Sequence, residues 1–306
     1  MSDIDAIRIN FNPDQLLLLN ICLAFLMFGV ALDIKLGDFR RIFAQPKAPV
    51  VGLISEYLLL PILSISLVYI FQPPASIALG MVMIACCPGG STSNFMVHLA
   101  KANAALSVLL TSITTLAAIV VLPLAFSGWS YLIPADGSGI DLEVEPLGMI
   151  KTIIQLVFIP VGIGMFMNHR FPNITAKIER PVRLISILIF FCFVIFAIAG
   201  NYENIVAYLH IVFLLVAVHN GLAFIIGYYF ARWNRLAVND ARAISIETGI
   251  QNTGLGLILV FNFFDGIGGM ALVIAWWGVW HLISGFLLAT YWSKKKIDEK
   301  NSLIAG

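Results

Sequence analysis

Charge is what this chain has least of: 18 Lys and Arg and 17 Asp and Glu in 306 residues, 11% charged against 60% hydrophobic. A soluble domain carries about a quarter charged residues, so a water-soluble globular or disordered protein is excluded. A net charge of +1 gives no ground to expect a nucleic-acid partner. Cysteine is scarce too. The four, Cys22, Cys86, Cys87 and Cys192, all fall in apolar runs, which fits small buried hydrophobes and not a disulfide framework or a zinc site. The N-terminus sets Asp3, Asp5 and Asp14 against Arg8 alone. With no basic stretch and no small-residue cleavage site before the first apolar run, no cleaved signal peptide is expected. Neither His219 nor His281 has a nucleophile or metal-ligand partner at its depth, so no enzyme is expected.

Long apolar runs are abundant. A helix needs about 20 residues to cross the hydrocarbon core, and nine runs of that order occur, near residues 15–33, 48–71, 75–99, 104–127, 147–168, 184–200, 206–230, 241–264 and 270–292. The chain therefore reads as all-α: one polytopic domain, residues 1–306, of nine transmembrane helices. With the N-terminus outside, 16 of the 18 basic residues fall in inner loops: Lys35, Arg40, Arg41 and Lys47; Lys101; Arg170, Lys177, Arg180 and Arg183; Arg232, Arg235 and Arg242; Lys294, Lys295, Lys296 and Lys300. Arg8 and Lys151 stay outside, as does the acidic stretch with Asp136, Asp141, Glu143 and Glu145. The bias of basic residues toward the cytoplasm then places the C-terminus inside.

Two of the spans are interrupted where they should be most hydrophobic. The third carries Cys86-Cys87-Pro88-Gly89-Gly90-Ser91-Thr92-Ser93-Asn94, and the eighth carries Glu247-Thr248-Gly249-Ile250-Gln251-Asn252-Thr253-Gly254. The bilayer core offers no water to a freed carbonyl or a carboxylate, so such segments persist where they line an ion or substrate site. The breaks lie five spans apart, an interval that reverses the direction of crossing. Spans 1–4 would then correspond to spans 6–9 in inverted orientation, with the site where the two broken helices cross.

Of the 17 acids, only Glu56 and Glu247 lie well inside a span, and no Lys or Arg lies at similar depth. A bound cation is the simplest partner for Glu247. Ser93 and Asn94 at the first break, Ser107 and Thr111 four apart on one face of the fourth span, and Glu247 with Gln251 at the second break supply many neutral oxygens and few charges. A hard monovalent ion such as Na⁺ prefers that set. Taken singly, the pieces stay open. Ser107 or Thr111 fits a hydroxyl bonded to its own helix, Pro88-Gly89-Gly90 fits a plain kink, and Glu247 fits a protonated interhelical hydrogen bond. His219 and Asn220 in span 7 read as helix–helix hydrogen-bonding groups.

The run Cys86 to Asn94, Ala105-Leu106-Ser107 with Thr111, His219-Asn220-Gly221, Glu247 to Asn252, and Trp280-His281 before Ser284-Gly285 resembles the bile acid:sodium symporter family, from about residue 15 to residue 292. The resemblance implies a panel of spans near 15–33, 147–168 and 184–200 and a core of spans near 48–127 and 206–292. It implies two sodium sites. One uses Ser93, Asn94, Ser107, Thr111 and Glu247; the other uses Glu247, Gln251, carbonyls near Thr248 and Ile250, and Glu56, a position where relatives carry Gln. Ser91, Asn252 and His281 match positions that contact the organic anion. Leu282 stands where a bacterial relative has Asn, and the first of ten bacterial spans is missing.

The function implied is sodium-coupled import, by alternating access, of an organic anion: a bile acid, pantoate or a similar carboxylate. The expected setting is a bacterial inner membrane, with the lipid bilayer around it and no obligate protein partner. Proton coupling, motivated by Glu56 near Glu247, and an anion-binding receptor without transport are the alternatives.

Overall fold

The computed structural model describes residues 3–8, 13–32, 46–134, 146–199 and 202–295. Lys35, Arg40, Arg41, Lys296 and Lys300, and the acidic stretch from Asp136 to Glu145, lie outside the described residues. The described chain is helical: α1 (Asp3–Ala6), α2 (Pro13–Ala31), α3 (Lys47–Phe71), α4 (Ala75–Cys86), α5 (Thr92–Leu99), α6 (Ala104–Ser130), α7 (Leu147–Arg170), α8 (Pro172–Ala199), α9 (Tyr202–Trp233), α10 (Val238–Gly249), α11 (Thr253–Phe263) and α12 (Gly268–Lys294). Among the described residues, five segments are long and apolar enough to cross a membrane: α3, α6, α7, α12 and Val212–Trp233 of α9. The pairs α4/α5 and α10/α11 are the halves of the two interrupted segments.

The interruptions follow from local chemistry. Pro88 has no N–H to continue α4 and pushes the residue before it out of the helical region; Cys87 is accordingly extended, φ −67° and ψ 151°. At the second break Ile250 is extended, φ −114° and ψ 102°, and Asn252 caps α11. Two further irregularities are wide π-turns, Ser55–Leu59 in α3 and Ile154–Phe158 in α7. Each comes just before a proline, Pro61 or Pro160, whose ring clashes with the carbonyl four residues earlier; widening the turn relieves the clash.

Apolar packing divides along the helix axes. The cluster at the end that carries α1 includes Leu23 and Met27 of α2 and Met149, Ile153 and Val157 of α7, together with Leu122 and Phe126 of α6 and Leu257 and Val260 of α11. The cluster at the opposite end, with Val51, Met96, Leu106, Phe224, Ala241 and Ala289, takes no described residue from α2, α7 or α8. Leu282, on α12, packs at the edge of this second cluster.

Several basic residues assigned to loops by the charge pattern are helical. Lys177, Arg180 and Arg183 lie within α8, which starts at Pro172, because a proline at the first position begins a helix well before the apolar stretch. Arg242 also differs from expectation. It is buried in α10, where its guanidinium donates to the Ala100 carbonyl at 3.5 Å and the Trp292 carbonyl at 3.3 Å. Those carbonyls close the C-terminal ends of α5 and α12, where a cation is favoured.

Candidate functional site

The two breaks pair with each other through the backbone. The Gly90 N–H donates to the Ile250 carbonyl at 2.9 Å and the Asn252 N–H to the Pro88 carbonyl at 2.8 Å, forming an antiparallel bridge between Gly89 and Gln251. Groups freed by interrupting both helices are thus satisfied by the other break. The crossing requires glycine twice. A Cβ on Gly90 would lie 2.9 Å from the Gln251 carbonyl oxygen, and one on Gly89 would lie 2.8 Å from Glu247 Oε2. Side chains hold the crossing in place. Asn220 Nδ2 donates to the Gly249 carbonyl at 2.7 Å, and Ser284 Oγ donates to Asn220 Oδ1 at 2.6 Å. The Gly89 N–H donates to Thr114 Oγ1 at 3.2 Å.

Glu247 is fully buried beside this crossing. Ser93 Oγ donates to its Oε1 at 2.5 Å, Ser107 Oγ donates to the same oxygen, and Thr111 Oγ1 donates to Oε2 at 2.9 Å. Asn94 Oδ1 lies 2.7 Å from Ser107 Oγ and 3.4 Å from Thr111 Oγ1. Each hydroxyl has one proton, yet Ser107 and Thr111 each face several acceptors. That surplus of oxygen over protons is what a hard monovalent cation takes up. The five residues expected for the first ion position therefore converge, from α5, α6 and α10.

The second expected group converges less tightly. Glu56 sits in the π-turn of α3, 2% exposed, and neither carboxylate oxygen has a hydrogen-bond partner among the described residues. It faces Glu247 across Gly89, its Oε2 3.6 Å from the place a Gly89 Cβ would occupy. Gln251 Nε2 donates to the Glu247 and Thr248 carbonyls at 3.3 and 3.1 Å, while Gln251 Oε1 has no partner among the described residues. The Ile250 carbonyl already accepts from Gly90, and Thr248 Oγ1 pairs with Ser55 Oγ at 2.7 Å. Three buried oxygens thus lack a donor beside a second carboxylate, and a buried negative group left that way is costly.

The residues matched to an organic anion are placed unevenly. Ser91 caps α5 by position without a side-chain bond and is half-buried; Asn252, at the start of α11, is buried. His281 is buried one turn before Gly285, where α12 closes on Ile250, and its Nδ1 has no hydrogen-bond partner among the described residues. His219 meets Ser64 Oγ at 2.9 Å and stacks edge-on against Trp277. Sequence reasoning did not single out Thr114, Ser55 or the π-turn. The signal available for the last was Pro61, five residues beyond Glu56.

Comparison with known proteins shows the family. The sequence profile of the sodium bile acid symporter family matches residues 20–208. The uncharacterized sodium-dependent transporter YocS of Bacillus subtilis is 35% identical over 277 residues, 90% of this chain and 83% of YocS. The chain belongs to the sodium bile acid symporter family. More distant relatives are plant proteins: the probable sodium/metabolite cotransporter BASS6, chloroplastic, of Arabidopsis thaliana, 32% identical over 90% of this chain, and BASS2 of Oryza sativa subsp. japonica, 30% identical over 85%. This chain spans 67% and 64% of their lengths. Among the described residues, the five segments long and apolar enough to cross a bilayer fit membership in a family of sodium-dependent transporters.

Proposed function

We propose that the protein is a sodium-coupled symporter that imports an organic anion by alternating access, with α2, α7 and α8 as a panel moving against a core of the remaining spans. The observation that carries this reading is the crossing of the two breaks, with Glu247 held by three hydroxyls and Glu56 by none among the described residues. Ser93, Asn94, Ser107, Thr111 and Glu247 would hold one Na⁺. Glu56, Glu247, Gln251 and the carbonyls at Thr248 and Ile250 would hold a second. The half-helices α5 and α11 both start at the crossing, so their positive ends favour an anion there, with Ser91, Asn252 and His281 as its contacts. Each Na⁺ entering across 100 mV contributes about 2.3 kcal/mol to accumulation.

Packing supports a stage of the cycle. Among the described residues, panel helices α2 and α7 join the core only in the cluster at the α1 end. With the N-terminus outside, that is a state closed to the exterior. The setting would be a bacterial inner membrane, and a bile acid, pantoate or a similar carboxylate the cargo. The test is uptake of labelled taurocholate and pantoate into proteoliposomes, with and without an inward Na⁺ gradient, for the wild type and Glu247→Ala. Sodium-driven accumulation abolished in the variant is the expected result; uptake indifferent to both sodium and Glu247 overturns the proposal.

The bare carboxylate of Glu56 favours one second reading, in which a proton replaces the second sodium. Uptake driven by a pH gradient without sodium, and lost in Glu56→Gln, would decide for it.

A further inference from the structure

We infer that Met27 is a specificity-determining residue of the anion site: its thioether stands against the amide donor of Asn252, in the place an oxygen of the transported anion takes. The inference rests on the symporter reading above and adds a residue to it. It begins with an orientation that is fixed. Asn252 Oδ1 accepts the Leu255 N–H at 3.1 Å, capping α11, and exchanging the amide's ends would set N–H against N–H. Its Nδ2 therefore must point away from α11, toward α2. There it meets Met27 Sδ at 3.7 Å. A thioether is a weak acceptor, so a donor on a side chain 7% exposed is left with little of its hydrogen-bonding capacity used.

The described surroundings supply no stronger acceptor. Next to Asn252, α2 presents Leu23 and Leu26, whose Cδ1 atoms lie 3.6 and 3.7 Å from the place a Cβ on Gly254 would take. The donor thus faces an apolar helix at the start of α11, where the helix dipole favours negative charge. A carboxylate or sulfonate oxygen satisfies both the amide and the dipole, and sulfur satisfies neither. Met27 is fully buried, and its unbranched side chain can swing aside without moving the backbone. Its displacement is the local cost of seating the anion, so the residue at position 27 sets how tightly and which anions bind.

The deciding experiment is calorimetric titration of taurocholate and of pantoate, in saturating NaCl, into the purified full-length protein and its variants. Met27→Ala removes the competing group, and the Kd for the anion that binds the wild type falls about three- to tenfold. Met27→Gln places a strong carbonyl acceptor on the amide, and the Kd rises by a similar factor. Asn252→Ser keeps an oxygen for the Leu255 N–H but removes the amide donor; in that background the opposed effects of the two Met27 substitutions vanish. Unchanged Kd values and unchanged anion ranking in both Met27 variants, or shifts that persist in Asn252→Ser, overturn the inference while leaving the symporter reading intact. A wild type that binds neither anion overturns both.

Discussion

Two carboxylates face each other across Gly89, and the protein treats them in opposite ways. Glu247 is surrounded by donors from Ser93, Ser107 and Thr111, whereas Glu56, equally buried, has none among the described residues. The first is held in place by the protein alone; the second is built so that something outside the protein completes it. One half of the site is thus preorganised, and the other is where ion binding can drive a change of shape. The comparison has a sharp form, because neutralising each group should act on stability with opposite sign.

Glu247→Gln carries the largest effect. It removes the charge and replaces one of the oxygens that accept from Ser93, Ser107 and Thr111 by an N–H donor, so hydrogen bonds to a charged group worth about 1.5–3 kcal/mol each are lost. The expected outcome is a lower melting temperature in sodium-free buffer and a loss of sodium-driven uptake of more than about 100-fold, a barrier change near ~3 kcal/mol. Retained uptake would remove Glu247 from the coupling machinery.

Gly89→Ala comes next. The added methyl would press on Glu247 Oε2 at 2.8 Å and lie 3.6 Å from Glu56 Oε2, and overpacking of this kind costs about 1–3 kcal/mol. Because the methyl separates the carboxylates, sodium affinity measured by the sodium-dependent rise in melting temperature should fall about tenfold. A variant that binds sodium as the wild type does would show that the two groups act independently.

Glu56→Gln reverses the sign of the stability effect. A buried carboxylate without a donor, facing another, is replaced by a neutral amide, so the sodium-free protein should gain about 1–3 kcal/mol. The rise in melting temperature produced by sodium should shrink at the same time. Destabilisation in sodium-free buffer would mean that Glu56 is satisfied as it stands, and the asymmetry between the two carboxylates would collapse.

The sequence made one half of this asymmetry far easier to see than the other. Both breaks were legible because Pro88 and the flanking glycines contradict an apolar helix on local grounds, and Ser107 and Thr111 announced a shared face by their spacing of four. Arg242 was misplaced because a charge count weighs a basic residue by its position along the chain, and burial beneath Trp292 is a tertiary event. The contact of Met27 with Asn252 joins residues 225 positions apart, and no local pattern announces it. Glu56 was visible as a buried acid, but its lack of donors was not. That depends on what α6, α9 and α10 bring to it, and on a π-turn set by a proline one turn away.

The smallest predicted effect tests that turn. Tyr57, next to Glu56 in the same π-turn, donates its hydroxyl to the Thr114 carbonyl at 3.0 Å, and Thr114 in turn accepts the Gly89 N–H. The bond ties the turn carrying the unsatisfied carboxylate to the glycine that separates it from Glu247. Tyr57→Phe removes only that bond, worth about 0.5–1.5 kcal/mol, and leaves both carboxylates and every donor to Glu247 in place. If the position of Glu56 matters to ion binding, sodium affinity should fall about two- to threefold, with the sodium-free melting temperature lowered slightly. If Tyr57→Phe lowers stability and leaves sodium affinity unchanged, the π-turn is only the relief of a proline clash, and the charge of Glu56 acts without its placement.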